Sequence, residues 1–145
     1  MRAFAVMLVL AGFATAAQAQ DGAPDLKGTW SGKGKAIVFG NNQYHPGQQT
    51  ANDAPRIRDI DVIYTVDGQD GRLVWGHASS SAADTKEPFA WAIASDNKTI
   101  LGSDTDGSYL ITVLGPDRME KCYTHNGMSP SKSIVAACHV VDRKK

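Results

Sequence analysis

Six side chains of this sequence, all on predicted strands, are of the types that hold small molecules. Aromatic rings form apolar walls, and phenol, indole or imidazole tips make the few hydrogen bonds that orient a ligand. The set is spread over much of the chain, so only the tertiary structure can bring its members together. We predict that these residues bind a ligand: Tyr64, Trp75, Trp91, Tyr109, Tyr123 and His139.

Arrangements of residues that carry catalysis are missing from the sequence. His77 precedes three serines at 79–81, but no serine lies in a Gly-x-Ser-x-Gly elbow. The run Asp-Thr-Asp-Gly at 104–107 begins like a calcium-binding loop, yet Gly115 stands where such a loop requires its final glutamate. We therefore predict that the protein is not an enzyme, binds no metal and needs no cofactor.

His139 has two interpretations. An imidazole inside a barrel can ligate haem or a metal ion, whereas a lone histidine on a strand is more often hydrogen-bonded to a neighbour, here Tyr123. The histidines of this chain are scattered, without a His-x-x-x-His pair. The hydrogen bond is therefore the favoured interpretation.

The charge of the chain is balanced, with 15 basic against 15 acidic residues. Positive charge is concentrated only in the short run at 143–145, whereas binding to nucleic acids and anionic membranes rests on dense basic patches. We predict that neither is a partner.

The first 19 residues have the composition of a secretory signal peptide. Arg2 precedes an apolar run at 3–12, and Ala-Gln-Ala at 17–19 is a small-x-small cleavage site. The apolar run is short for a membrane-spanning helix. We predict a signal peptide over 1–19, no membrane insertion after its cleavage, and a periplasmic or secreted mature protein.

The two cysteines, Cys122 and Cys138, lie on the arms of a predicted hairpin, symmetrically about residue 130. Two such cysteines in an exported chain favour one disulfide. The alternative is a reactive thiol pair, although the Cys-x-x-Cys spacing of such pairs is missing. We predict the disulfide.

Alternating polar and apolar residues between turn signals predict eight strands and no helix beyond the signal peptide. Short turns make sequence neighbours antiparallel partners, and eight such strands can close into an up-and-down barrel. We predict an all-β fold, an eight-stranded antiparallel up-and-down β-barrel over 27–145 after a flexible lead-in at 20–26, with a β-sandwich as the alternative. The predicted strands span 27–40, 56–67, 72–79, 87–94, 99–103, 109–114, 119–125 and 133–142.

The segment 40–55 is a long polar connection without periodicity. Connections of this length are often lids or binding elements. A disordered insertion explains the same composition, so both interpretations stay open.

The start of the first strand, Gly28-Thr29-Trp30, resembles the Gly-x-Trp that opens the barrels of the calycin superfamily, the lipocalins, avidins and fatty-acid-binding proteins. The resemblance implies that this tryptophan packs at the closed end of the barrel, beneath a basic residue of the last strand. Arg143 occupies that place in this chain, and a guanidinium over an indole is favourable through cation–π attraction.

Length, strand number and strand order look most like the avidins, whose barrels bind biotin, and the run 28–34 also looks like the start of the nitrobindin haem barrels. The avidins place their first biotin-binding residues after the tryptophan, where this chain has Ser31-Gly32-Lys33. The resemblance therefore implies a fold without implying either ligand.

The period of two along a strand predicts which side chains point into the barrel. An inward Trp30 brings Gly32 and Gly34 to the interior, where glycines permit a close approach of backbone. An inward Arg143 does the same for His139. On strands without such an anchor we take the aromatic face as the inner one: Tyr64, Trp75 with His77, Phe89 with Trp91, and Tyr109.

Hairpin pairing about residue 130 places Lys121 and Tyr123 on the same inner face as His139. An unpaired ammonium is costly to bury, so an inward Lys121 counts against this register.

These observations predict an exported barrel that binds a small, partly apolar ligand in an aromatic-lined interior. The alternative is a protein-interaction module, a protease inhibitor or envelope component, whose barrel is filled by its own side chains.

Overall fold

The computed structural model describes residues 22–40, 54–80, 83–126 and 133–145. Each strand pairs antiparallel with its neighbours in sequence, and the first strand also pairs with the last, which closes the barrel. The predicted all-β, eight-stranded up-and-down barrel is therefore confirmed. Its strands are β1 (Gly28–Phe39), β2 (Arg56–Asp70), β3 (Leu73–Ser80), β4 (Ala83–Ile93), β5 (Thr99–Ser103), β6 (Gly107–Gly115), β7 (Arg118–Asn126) and β8 (Ile134–Arg143).

Two predicted segments lie wholly or mostly outside the described residues. They are the signal peptide at 1–19 and the connection at 40–55, of which residues 41–53 are not described. Within the described ranges, no helix is long and apolar enough to cross a membrane.

The seam between β1 and β8 depends on two glycines of β1. A Cβ at Gly32 would lie 2.1 Å from the Val140 carbonyl oxygen, and one at Gly34 would lie 2.7 Å from the Cβ of His139. Any larger residue would push the two strands apart. The bare backbone therefore lets the last strand close against the first, as the glycine pattern predicts.

One end of the barrel, which we call the Trp30 end, is sealed by an indole under a guanidinium. Trp30 is fully buried, and the guanidinium carbon of Arg143 lies 4.3 Å from its ring centroid. Arg143 also donates to the backbone carbonyls of Lys27 and Asp25 and forms an ion pair with Asp117.

The end of the predicted lead-in belongs to this seal. Leu26 is 1 % exposed, its N–H donates to Oε1 of Gln69 at 2.9 Å, and its carbonyl accepts the Trp30 indole N–H at 2.8 Å. Leu26, the last residue of the predicted lead-in, therefore packs against the barrel, because an apolar side chain beside an open barrel end gains by burial. The flexible lead-in over 20–26 stays a prediction.

The predicted disulfide is confirmed. Cys122 and Cys138 face each other in the β7–β8 register and their sulfur atoms are bonded, at 2.06 Å. Disulfides of this kind persist in oxidising compartments. The same register pairs Lys121 with His139 and Tyr123 with Ala137, as hairpin symmetry predicts.

The predicted inward face of β3 is wrong. Trp75 is 49 % exposed and Leu73 is 61 % exposed, whereas Val74 is buried in the core. The Trp75 indole instead lies on the outer surface across Gly68, where a Cβ would come within 2.2 Å of the ring. His77 shares this outer face and hydrogen-bonds Asp67 through Nδ1 at 2.9 Å.

The physical reason is the space that neighbouring strands require. Gly76 faces inward, and a Cβ there would lie 2.8 Å from the ring of Phe89 on β4. β3 therefore turns its small residues to the interior, where rings from the adjacent strands occupy the volume.

Candidate ligand site

The centre of the barrel holds five aromatic rings in mutual contact. Phe89 and Trp91 stack at a centroid distance of 4.0 Å with 13° between their planes. Tyr64 meets Tyr109 edge to face at 6.2 Å, and Tyr109 lies 5.0 Å from Tyr123. Such aromatic pairs stabilise the fold by more than the burial of their apolar surface alone. We call these five residues the aromatic cluster.

Glycines on facing strands make room for this cluster. Gly102 is the register partner of Trp91, and a Cβ there would lie 2.2 Å from the indole. A Cβ at Gly107 would lie 2.3 Å from the Tyr123 hydroxyl. The rings therefore pack directly on backbone, and larger residues at either position would displace them.

Lys121 of β7 inserts its amine into the cluster. Its Nζ lies 4.7, 4.6 and 4.7 Å from the ring centroids of Tyr64, Tyr109 and Tyr123 and donates a hydrogen bond to the Tyr64 hydroxyl. The residue is only 4 % exposed. Lys121 therefore points into the barrel, although the cost of burying its charge counted against that register. Three ring faces attract the ammonium and reduce this cost.

Burial has the largest effect on the protonation of Lys121. Removal from water lowers the pKa of the amine from 10.5 to about 7, although the charges of Asp104 and Glu87 act in the opposite direction. A substantial fraction of the amine is therefore neutral at physiological pH.

Carboxylates hold two of the tyrosine hydroxyls near the barrel end opposite Trp30, which we call the acidic end. Tyr109 donates to Oδ2 of Asp104, and Tyr123 donates to Oδ1 of Asp106 at 2.7 Å. Asp104 is itself fixed by the backbone N–H of Gly107 at 2.7 Å. Burial and the nearby acids raise the pKa of both phenols, so both remain protonated donors.

Glu87, which is 6 % exposed, completes the acidic end and accepts a hydrogen bond from the Thr105 hydroxyl. Burial raises its pKa to about 7 against the lowering effect of that hydrogen bond. Oxygen atoms of Glu87, Asp104 and Asp106 lie within 4.8 Å of one another, close enough to coordinate one cation. Hydrogen bonds from protein groups already account for this cluster, and His125 Nδ1 lies 3.1 Å from Asp106.

His139 lies inside the barrel beside Lys121, and neither of its ring nitrogens has a hydrogen-bond partner among the described residues. It is 6 % exposed, and burial, reinforced by the charge of Lys121, lowers its pKa to about 4. The predicted bond to Tyr123 is wrong, because the Tyr123 hydroxyl is directed to Asp106. His139 is therefore a neutral imidazole with unused hydrogen-bonding capacity.

The indole N–H of Trp91 is a second buried group without a partner in the described part of the chain. Trp91 is 3 % exposed and belongs to the same interior. Its donor and the His139 nitrogens give the aromatic interior polar atoms that the protein itself leaves unsatisfied. Small-molecule sites in general combine apolar walls with a few polar groups.

Of the six predicted ligand-binding residues, the barrel brings together Tyr64, Trp91, Tyr109, Tyr123 and His139, and leaves Trp75 outside. Their role in binding stays a prediction. The prediction omitted Lys121 and the three carboxylates. Hairpin symmetry already placed Lys121 inward, whereas no sequence signal brought Glu87 to the β5–β6 turn.

Comparisons with known proteins do not assign a family. No family model and no curated protein matches this chain. Among solved structures, the S-type phycobiliprotein lyase of Guillardia theta is similar over 83 % of this chain and 89 % of its own, with 12 % identity and a TM-score of 0.37. The closed antiparallel barrel fits a calycin-like architecture.

Proposed function

We propose that this protein is an exported barrel that binds a small, partly apolar molecule in its interior. The observation that carries the proposal is the set of unsatisfied polar atoms that the barrel interior holds, the Trp91 indole N–H of the aromatic cluster and the two ring nitrogens of the buried His139. A buried polar group without a partner costs about 1–3 kcal/mol. A ligand that pairs with these atoms relieves that cost, which favours the bound state.

The acidic end limits the charge of the ligand. Glu87, Asp104 and Asp106 gather there, and entry of an anion past them is unfavourable. Ring faces favour a flat aromatic or conjugated body, and His139 and Trp91 favour one polar group that both donates and accepts. A neutral aromatic alcohol satisfies each requirement, and a carbonyl compound satisfies the donors, because its oxygen accepts from the Trp91 N–H or from the protonated nitrogen of His139.

The three indole N–H signals in a proton–nitrogen NMR spectrum test the proposal with two internal controls. Titration with benzyl alcohol should shift the signal of Trp91, whose N–H gains a partner. The signals of Trp30, already bonded to Leu26, and of Trp75, on the outer surface, should stay in place. Biotin, haem and a fatty acid belong in the same panel. A panel in which no compound moves the Trp91 signal would contradict ligand binding in the barrel.

The contribution of His139 is tested with His139→Phe, which keeps a ring of similar size and removes both nitrogens. We expect about tenfold weaker binding of benzyl alcohol, the loss of one hydrogen bond of about 1.4 kcal/mol. His77→Phe is the matched control, since His77 lies on the outer face. Equal affinities for the two variants would exclude His139 from the site.

The alternative function, a protein-interaction module, is favoured by one observation on the outer surface. Leu73, Leu101 and Leu110 are each more than half exposed and lie in one row of the sheet, joined through Ala92. Exposed apolar rows of this kind mark protein contacts. If the protein is such a module, Leu101→Ser weakens binding of the protein partner. No small molecule then shifts the Trp91 signal of the unaltered protein.

A further inference from the structure

The Lys121 amine differs from the other lysines of the described chain in its surroundings. Lys33 and Lys35 point into solvent and pair with Asp61 and Asp59. Lys121 has no carboxylate within ion-pair distance among the described residues, and its one hydrogen bond is to the Tyr64 hydroxyl. A buried amine held in this way is available to react with whatever enters the barrel.

We propose that Lys121 captures a carbonyl ligand covalently, by forming an imine with an aldehyde or ketone group. The inference rests on the proposed function, because the ligand must first enter the aromatic cluster. Beyond the proposed function, the inference specifies the chemical class of the ligand, a neutral aromatic or conjugated carbonyl compound, and the residue to which that ligand bonds.

The chemistry balances without a cofactor or a redox partner. The lone pair of the neutral Lys121 amine attacks the carbonyl carbon, and a proton passes from nitrogen to the carbonyl oxygen to give a carbinolamine. Loss of that hydroxyl as water leaves a carbon–nitrogen double bond to Nζ. One amine and one carbonyl compound therefore yield one imine and one water, and hydrolysis reverses the step.

Geometry and protonation both support this role. The Tyr64 hydroxyl accepts an N–H of Lys121 and leaves the nitrogen lone pair free in the neutral form. Three ring faces surround Nζ, so a conjugated carbonyl compound that reaches the amine meets aromatic neighbours. Burial supplies the neutral amine, because at pH 7 roughly half of Lys121 is unprotonated against roughly one part in three thousand of an ordinary lysine.

The neighbours of Lys121 do not compete for the carbonyl. His139, its register partner on β8, is a neutral imidazole that can bond to the oxygen of the ligand. The phenols of Tyr64, Tyr109 and Tyr123 remain protonated because burial and nearby acids raise their pKa. Lys121 is therefore the nucleophile that this interior offers at neutral pH.

Reductive trapping tests the proposal. The protein is incubated with benzaldehyde and sodium cyanoborohydride at neutral pH, and the benzylated lysines are located by peptide mass spectrometry. We expect Lys121 to be labelled at least tenfold faster than Lys33 or Lys35, even though those two are exposed. In urea, where every lysine has an ordinary environment, the preference should disappear.

Two variants and the alcohol analogue separate the possible outcomes. Lys121→Met and Lys121→Arg should leave no labelled residue in the aromatic interior. Lys33→Met is the matched control and should leave the Lys121 label unchanged. Should Lys121 of the unaltered protein be labelled no faster than exposed lysines while benzyl alcohol still moves the Trp91 signal, covalent capture is wrong and the proposed function stands. If neither the label nor the shift appears, both are wrong.

Discussion

Raising the pH from 7 to 9 is expected to stabilise the folded barrel by about 2 kcal/mol, because Lys121 is protonated in the unfolded chain and neutral in the folded one over this range. Its pKa is 10.5 when exposed and about 7 when buried. Between these values the unfolded state binds more protons than the folded state, so the free energy of unfolding rises with pH. Below about pH 7 both states are protonated and the full cost of burying the charge remains.

Other shifted groups act mainly outside this window. Glu87, whose pKa burial raises to about 7, lowers stability as pH rises from its ordinary value towards 7. His139, whose pKa burial lowers to about 4, raises stability between pH 4 and 6.5. The buried phenols lower stability only near and above their ordinary pKa of 10. The range from 7 to 9 therefore reports mainly on Lys121.

Urea unfolding followed by circular dichroism at several pH values measures this effect. Lys121→Met removes the amine and keeps a flexible chain of similar length, so its unfolding free energy should change little across the range. Lys33→Met removes an exposed lysine and should keep the full slope. A slope that survives in Lys121→Met, or is missing from the unaltered protein, would show that the buried amine does not lose its proton.

Trp30→Ala is expected to lower the free energy of unfolding by about 3–5 kcal/mol, the range for removing a large aromatic side chain from a core. The indole is fully buried. Arg143 covers its face, and its N–H donates a hydrogen bond to the carbonyl of Leu26. Truncation leaves a cavity, an unpaired carbonyl and a guanidinium without its ring. The three losses act together because they meet at one end of the barrel.

Trp75→Ala is the matched control for this truncation. The same indole is removed from the outer surface, where it is half exposed, so the expected loss is about 1 kcal/mol or less. Circular dichroism must follow the unfolding, because both variants change the tryptophan fluorescence itself. Equal losses for Trp30→Ala and Trp75→Ala would mean that the Trp30 seal does not stabilise the barrel.

The cluster that we propose as a site is less visible in the sequence than the barrel around it. Tyr64, Trp91, Tyr109 and Tyr123 follow from strand periodicity and aromatic type. Trp75 has the same type and a similar strand context and lies outside. Periodicity divides a strand into two faces, but it does not say which face points inward.

The amino-acid sequence by itself determined the eight strands, their antiparallel order, and the β7–β8 register that joins Cys122 to Cys138 and pairs Lys121 with His139. These features depend on alternation and short turns, which are local. Only the tertiary structure decided that rings from β2 and β4 occupy the space inside β3 and leave Trp75 on the outer surface. It also decided that the Lys121 amine contacts three tyrosine rings and that Glu87 lies at the β5–β6 turn. The physical reason is that closing a barrel brings distant strands into competition for one small volume, and that competition has no local signal in the chain.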